Sequence, residues 1–177
     1  MPTVTLPGPE DCNCFAVRSA ARHVTQLYDQ LLAPVGLRVT QFSILAKLTR
    51  RGPLTINALA EDMVMDRTTL GRNIQPLERD GLIRTEPAPS DRRAKELHLT
   101  KAGEKRLQAG HEAWAKAQAR FEASFGTKRA AELRTLLRAA VGSQFTPTGQ
   151  DARQYEGNLW HEVERRHIGA YTPLRRG

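Results

Sequence analysis

Apolar positions recur at helical spacing along most of this chain and switch to strand-like alternation only near residue 90. From Cys14 to Leu32 they fall at Val17, Ala20, Ala21, Val24, Leu27, Tyr28 and Leu31, the three-and-four repeat of one helix face. Ala33-Pro34-Val35-Gly36 closes that helix. Thr40 is the expected cap of a second helix, with Phe42, Ile44, Leu45 and Leu48 on its apolar side and Arg51-Gly52-Pro53 as its stop. Thr55 opens a short third helix holding Ile56, Leu59 and Ala60. A turn over 63–65 leads to Asp66, a good N-cap residue. The helix after it sets Leu70, Ile74 and Leu77 on one side and Thr68, Arg72, Gln75 and Arg79 on the other, with Gly81 as its stop.

Two strands follow, 82–86 and 95–99, joined by Pro87-Ala88-Pro89-Ser90-Asp91-Arg92-Arg93. Thr100 caps a long helix carrying Leu107, His111, Trp114, Phe121 and Phe125; its roughly 25 residues span about 37 Å. Gly126-Thr127 restarts the chain into a last helix with Leu133, Leu136, Leu137 and Val141. The order helix, helix, short helix, turn, polar-faced helix, strand, loop, strand predicts a winged helix-turn-helix: a mainly α fold with a small β-hairpin wing. The expected divisions are a flexible arm (1–11, with Pro2, Pro7 and Pro9), an N-terminal dimerisation helix (12–35) and a winged DNA-binding module (36–100). C-terminal dimerisation helices (101–142) and a tail of unassigned order (143–177) complete the chain. The outer helices carry apolar stripes outside the winged module, which a two-fold copy would cover.

Charge narrows the partner. Lys and Arg outnumber Asp and Glu 27 to 19, a formal charge of +8, which suits a polyanion such as nucleic acid or a membrane surface. No apolar run approaches the ~20 residues of a spanning helix, so no membrane partner is expected. The opening MPTVTLPGPEDCNC has neither basic n-region nor apolar h-region, and two cysteines are too few for a disulfide framework, so a cytoplasmic protein is expected. There is no Gly-rich phosphate loop, nucleophile elbow or paired-carboxylate site, and no His pair four apart. No enzyme activity, metal or cofactor is expected.

In a helix-turn-helix the second helix enters the major groove. Thr68, Thr69 and Arg72 in its first turns are base-reading types: Thr meets a base edge or thymine methyl, and Arg forks onto guanine; Arg67 beside them is a further DNA-binding candidate. Gln75 suits adenine, and Arg79 suits phosphate. Pro76 removes the amide that would bond to the carbonyl of Arg72, so a bend is expected there. At the wing tip, Arg92 is assigned to the minor groove or backbone, with Asp91 pairing Arg93 to shape the loop; the two arginines are exchangeable in these roles.

The segment DRTTLGRNIQPLERDGLIRTEPAPSDRRAKELHLTKAGEKRL resembles the core of the MarR family of winged-helix regulators, above all in Asp-Arg-Arg before Leu-x-Leu-Thr and the glycine three residues on. The likeness covers roughly residues 12–141. It implies a homodimer with intertwined outer helices on a pseudo-palindromic operator, and repression relieved by a small phenolic or aromatic acid or by an oxidant. Cys14-Phe15-Ala16 is similar to the OhrR-type peroxide sensors of that family, in which tyrosines activate the thiol; Tyr28 matches one tyrosine, whereas Arg18 stands where another is expected. Cys12 is the only other thiol, and a C-x-C disulfide within one chain is strained, which leaves a bond between subunits. A ligand switch would instead use Arg18, Arg22, His23, His111 and Trp114, guanidiniums for a carboxylate and an indole for an aromatic ring. The rival class is a basic, non-specific architectural nucleic-acid-binding protein.

Overall fold

The computed structural model describes residue 8 and residues 11–88 and 94–143. The elements are α1 (Asn13–Leu32), a 3-10 turn (Ala33–Val35), α2 (Val39–Arg51), β1 (Leu54–Thr55), α3 (Ile56–Asp62), α4 (Arg67–Arg79), β2 (Ile83–Pro87), β3 (Lys95–Leu99), α5 (Lys101–Phe125) and α6 (Thr127–Val141). This is the mainly α winged arrangement expected from the periodicity. By internal packing the chain divides into two units, residues 1–131 and 132–177. The described part of the second is the end of α6 with Gly142 and Ser143, and it exposes Leu136, Leu137 and Val141. No single described helix is long and apolar enough to cross a membrane.

Two local expectations need correction. The sheet has three antiparallel strands in the order β1-β3-β2, not two. Leu97 of β3 is flanked by Leu54 on one side and Thr85 on the other. Two residues are too few to display a period, so β1 leaves no signal in the sequence. The cap of α2 is also different. Its N-cap is Arg38, and Thr40 lies within the first turn. Asp29 of α1 accepts the Val39 amide at 2.7 Å and an Arg38 guanidinium bond at 3.3 Å, while the Gln41 side chain accepts the Arg38 amide at 2.9 Å. A carboxylate ten residues upstream thus does the work of a local hydroxyl and fastens α1 to the start of the winged module.

Three other caps are local, as expected. Thr55, Asp66 and Thr100 accept amide hydrogen bonds from Ala58, Thr69 and Gly103 at 3.1, 2.8 and 3.1 Å. Each satisfies a donor that the helix itself leaves unpaired.

The core lies within the first unit. Leu32, Ile44, Leu45, Leu59, Leu70, Leu77 and Leu97 are its largest fully buried side chains, one or more from each of α1, α2, α3, α4 and β3. Each contributes about 1.5–3 kcal/mol through burial. Phe42 of α2 joins α5 to this core: the Trp114 ring stacks on it at 6.0 Å and 15°, and His111 meets it edge-on at 5.5 Å. Along α1, the buried Tyr28 hydroxyl donates to the Gln118 side chain of α5.

Candidate nucleic-acid interface

Helix α4 is anchored by one side and open on the other. Leu70, Ile74 and Leu77 are buried, whereas Arg67, Thr68, Thr69, Arg72, Gln75 and Arg79 are all exposed. At about 100° per residue, Thr68, Arg72, Gln75 and Arg79 fall within a stripe about 60° wide, opposite the three buried side chains. The stripe runs about 16 Å along the axis. Thr69 flanks it, and Arg67 lies toward the core side of the wheel. The fold therefore presents four residues with hydrogen-bonding side chains in one row, on a helix whose hidden face fixes its rotation.

Several of these side chains have partners. Asp66 takes hydrogen bonds from the Thr69 hydroxyl and the Thr69 amide, and these hold its carboxyl below the ordinary aspartate range. The Thr69 hydroxyl is thus drawn toward the cap. Arg79 pairs with Asp80 at 3.2 Å, both well exposed. Asn73 donates to the Thr69 carbonyl at 2.8 Å. Pro76 lies inside α4, yet the helix continues through it to Arg79.

The end of α4 is tied to the wing. The Thr85 hydroxyl of β2 donates to the Glu78 carboxylate, and the Leu82 amide donates to the Leu77 carbonyl at 2.8 Å. The α4–wing angle is therefore set by the Gly81 turn and a side-chain bridge, two features that helical and strand periods do not reveal. The hairpin stem closes with the Ala88 amide on the Ala94 carbonyl at 2.8 Å. Asp91, Arg92 and Arg93, the expected wing-tip residues, lie in segment 89–93, outside the described residues.

One face of the stem carries a charge cluster. Arg84 stands opposite His98, and Glu86 opposite Glu96. The Arg84 Nε–Glu86 Oε1 distance is 2.6 Å, and His98 Nε2 lies 3.6 Å from Glu86 and 3.7 Å from Glu96. The hydrogen bond from Arg84 holds the Glu86 carboxyl below its ordinary range, and the same bond raises Arg84.

The chain's relatives fit this geometry. The MarR family model matches residues 37–95, from just before α2 to the start of β3. The crystal structure of the transcriptional regulator MosR from M. tuberculosis is 36% identical with a TM-score of 0.65; the match covers 77% of this chain and all of that one. The chain belongs to the MarR family. A second MosR structure, in complex with DNA, is 37% identical at a TM-score of 0.64, covering 75% of this chain and 98% of the other. The organic hydroperoxide resistance transcriptional regulator of Bacillus subtilis (strain 168) is 28% identical over 90 residues, 51% of this chain and 61% of that protein. The HTH-type transcriptional repressor IacR of Pseudomonas putida is 27% identical over 79 residues, 45% of this chain and 47% of its own length. The chain thus aligns with about half to three fifths of the length of these two curated MarR relatives.

The anticipated switch residues are dispersed. Cys12 and Cys14 are free and exposed at the head of α1, where the Cys12 carbonyl accepts the Ala16 amide at 2.9 Å. Tyr28 lies 14 residues beyond Cys14 on the same helix, about 21 Å along its axis. It is buried against Gln118. A Tyr28 bond to Cys14 within one chain is therefore excluded. Arg18, Arg22 and His23 are exposed on α1, whereas His111 and the half-buried Trp114 each pack on Phe42. One face of the indole is thus already covered by Phe42.

Proposed function

We propose that this MarR-family chain is a homodimeric, sequence-specific DNA-binding transcriptional regulator that acts in the cytoplasm as a repressor. The observation that carries the reading is the outward row Thr68, Arg72, Gln75 and Arg79, rigidly set by Leu70, Ile74 and Leu77 and braced to the wing by Glu78 and Thr85. Thr68 and Arg72 read base edges in the major groove, Gln75 extends that contact, and Arg67 and Arg79 meet phosphate. The Thr69 methyl packs on DNA while its hydroxyl keeps the cap. Asp91 shapes the wing tip so that Arg92 and Arg93 reach the flanking backbone or minor groove. MosR, 37% identical over most of this chain, was solved on DNA, which supports the same use here.

Dimerisation rests on unpartnered apolar surface: Phe15 and Val17 on α1 are 53% and 50% exposed, and Leu136 and Val141 on α6 are 68% and 64% exposed. A two-fold copy covers such stripes and presents two α4 helices to half-sites about one turn, ~34–36 Å, apart. Selection from a random duplex pool followed by footprinting tests this. The expected result is a pseudo-palindrome protected on one face; a single asymmetric half-site would contradict the dimer, and no enriched sequence would favour a non-specific architectural protein.

Release from DNA has two routes. The exposed Cys12 and Cys14 favour oxidation, in which an organic hydroperoxide converts the Cys14 thiol to sulfenic acid and departs as the alcohol. A small aromatic or phenolic acid held by Arg18, Arg22, His23, His111 and Trp114 is the other. Peroxide and a panel of aromatic acids added to the DNA complex separate them: Cys14→Ser abolishes the first response and leaves the second intact.

A further inference from the structure

Three helices of this chain end in the same hydrogen-bonded turn, and one of the three breaks its conformational rule. After the 3-10 turn that ends α1, Gly36 donates to Ala33 at 2.9 Å and Leu37 to Leu32 at 3.3 Å. After α4, Gly81 donates to Glu78 at 2.9 Å and Leu82 to Leu77 at 2.8 Å. After α3, Val64 donates to Glu61 at 3.1 Å and Met65 to Ala60 at 2.9 Å. This paired bonding requires a left-handed residue at the position of the first donor, and glycine is its natural occupant. Gly36 and Gly81 have φ of 69° and 68°; Val64 has φ of 52° and is the only non-glycine residue with positive φ among the described residues. A β-branched side chain is the least suited of all to that region.

The two backbone bonds of the turn hold Val64 in this conformation, and its side chain gains little burial in return. The neighbours Met63 and Met65 pack against the core, whereas Val64 is 70% exposed, the most exposed of the large apolar side chains described. Glycine at this position would remove the strain with little loss of buried surface. The isopropyl group stands two residues ahead of the Asp66 cap, at the end of α4 that carries Thr68 and Thr69. Strained backbone held in place by its surroundings clusters at functional surfaces. On the DNA-binding reading above, that surface meets the duplex.

We propose that Val64 is a DNA-contacting residue whose isopropyl group packs against an apolar group of the operator, either a thymine C5-methyl or the deoxyribose edge beside it. The contact adds affinity without releasing counterions, so it leaves the salt slope unchanged. It is distinct in kind from the polar row on α4 and lies outside it.

The test uses the full chain, a duplex selected by the wild-type protein from a random pool, and two variants. Val64→Gly removes both strain and side chain; Val64→Ala removes the isopropyl group while keeping a Cβ on the turn. The expected results are a melting temperature about 2–4 °C higher for Val64→Gly, with affinity about fivefold to tenfold lower for both variants and parallel salt slopes. Replacing operator thymines one at a time with deoxyuridine locates the partner. A position that weakens wild type but not Val64→Ala assigns the methyl; no such position, with both variants weakened, assigns the sugar. Full affinity in both variants overturns the proposal. So does a loss confined to Val64→Gly, which would trace the effect to a loosened turn. Arg72→Ala keeps this separable from the broader reading. If wild type selects a site and Arg72→Ala loses it while both Val64 variants bind fully, only the Val64 contact falls. If wild type binds every duplex alike, the reading of function falls with it.

Discussion

Two helical glycines make a paired test of the packing between the wing and α5. Helix propensity gives Gly71→Ala and Gly103→Ala the same sign, a gain of about 0.5–1 kcal/mol. The structure gives them opposite signs. At Gly71 a Cβ would meet nothing within 4 Å, so the gain is kept. At Gly103 it would lie 2.1 Å from the Leu82 carbonyl oxygen and 2.6 Å from Leu99 Cδ1. The first is more than ~1 Å inside van der Waals contact, and the obstacle is backbone that cannot rotate away. That carbonyl also accepts the Thr100 amide at 3.1 Å, and the Thr100 hydroxyl donates to Gly81 O at 2.7 Å. Moving α5 off the wing strains these bonds too. Overpacking costs about 1–3 kcal/mol and a weakened hydrogen bond about 1, so the net loss for Gly103→Ala is about 1–3 kcal/mol. Urea unfolding at matched protein concentration measures both variants, since dimerisation links stability to concentration. The melting temperature should fall by about 2–12 °C for Gly103→Ala and rise slightly for Gly71→Ala. A Gly103→Ala variant as stable as the native chain would refute the packing described here.

Other outcomes follow from the same contacts. Asp29→Ala removes the remote cap of α2 and should cost about 1–2 kcal/mol in urea unfolding, whereas Thr40→Ala should change stability by less than about 0.5. Asp66 is held low by bonds from Thr69, so its contribution is present above the ordinary aspartate value and is lost as pH falls through its depressed value. Asp66→Asn should therefore narrow its stability difference from wild type below about pH 4, read by acid unfolding. Arg72→Ala should weaken operator binding by about 1–3 kcal/mol and relax one base position, seen by competition with mutated duplexes. Arg92→Ala should weaken binding to all sequences and lower the salt slope by about one.

The fold was legible wherever a period had room to repeat. Leu70, Ile74 and Leu77 opposite Thr68 and Arg72 marked α4 as a helix with a buried and an open side, and burial follows that division. Thr55, Asp66 and Thr100 acted as the caps their types suggest. What the sequence hid was carried by pairs distant along the chain. β1 is two residues long and exists only through Leu54 opposite Leu97. Thr40 was the wrong cap because Asp29, in the previous helix, reaches Val39 first. The Glu78–Thr85 bridge joins elements seven residues apart around a turn and has no periodic trace. At the candidate switch, Tyr28 sits on the apolar face its spacing predicts, but that face packs on α5, far from Cys14 in the same chain.

Selective recognition through α4 is tested most directly by the ratio of affinities for the selected duplex and a random duplex, measured at one fixed salt concentration. A ratio of ~10³–10⁷, which drops sharply in Arg72→Ala, is the predicted result. A ratio near one, unchanged by that substitution, would leave only the +8 charge of the chain to explain its binding and would contradict the account.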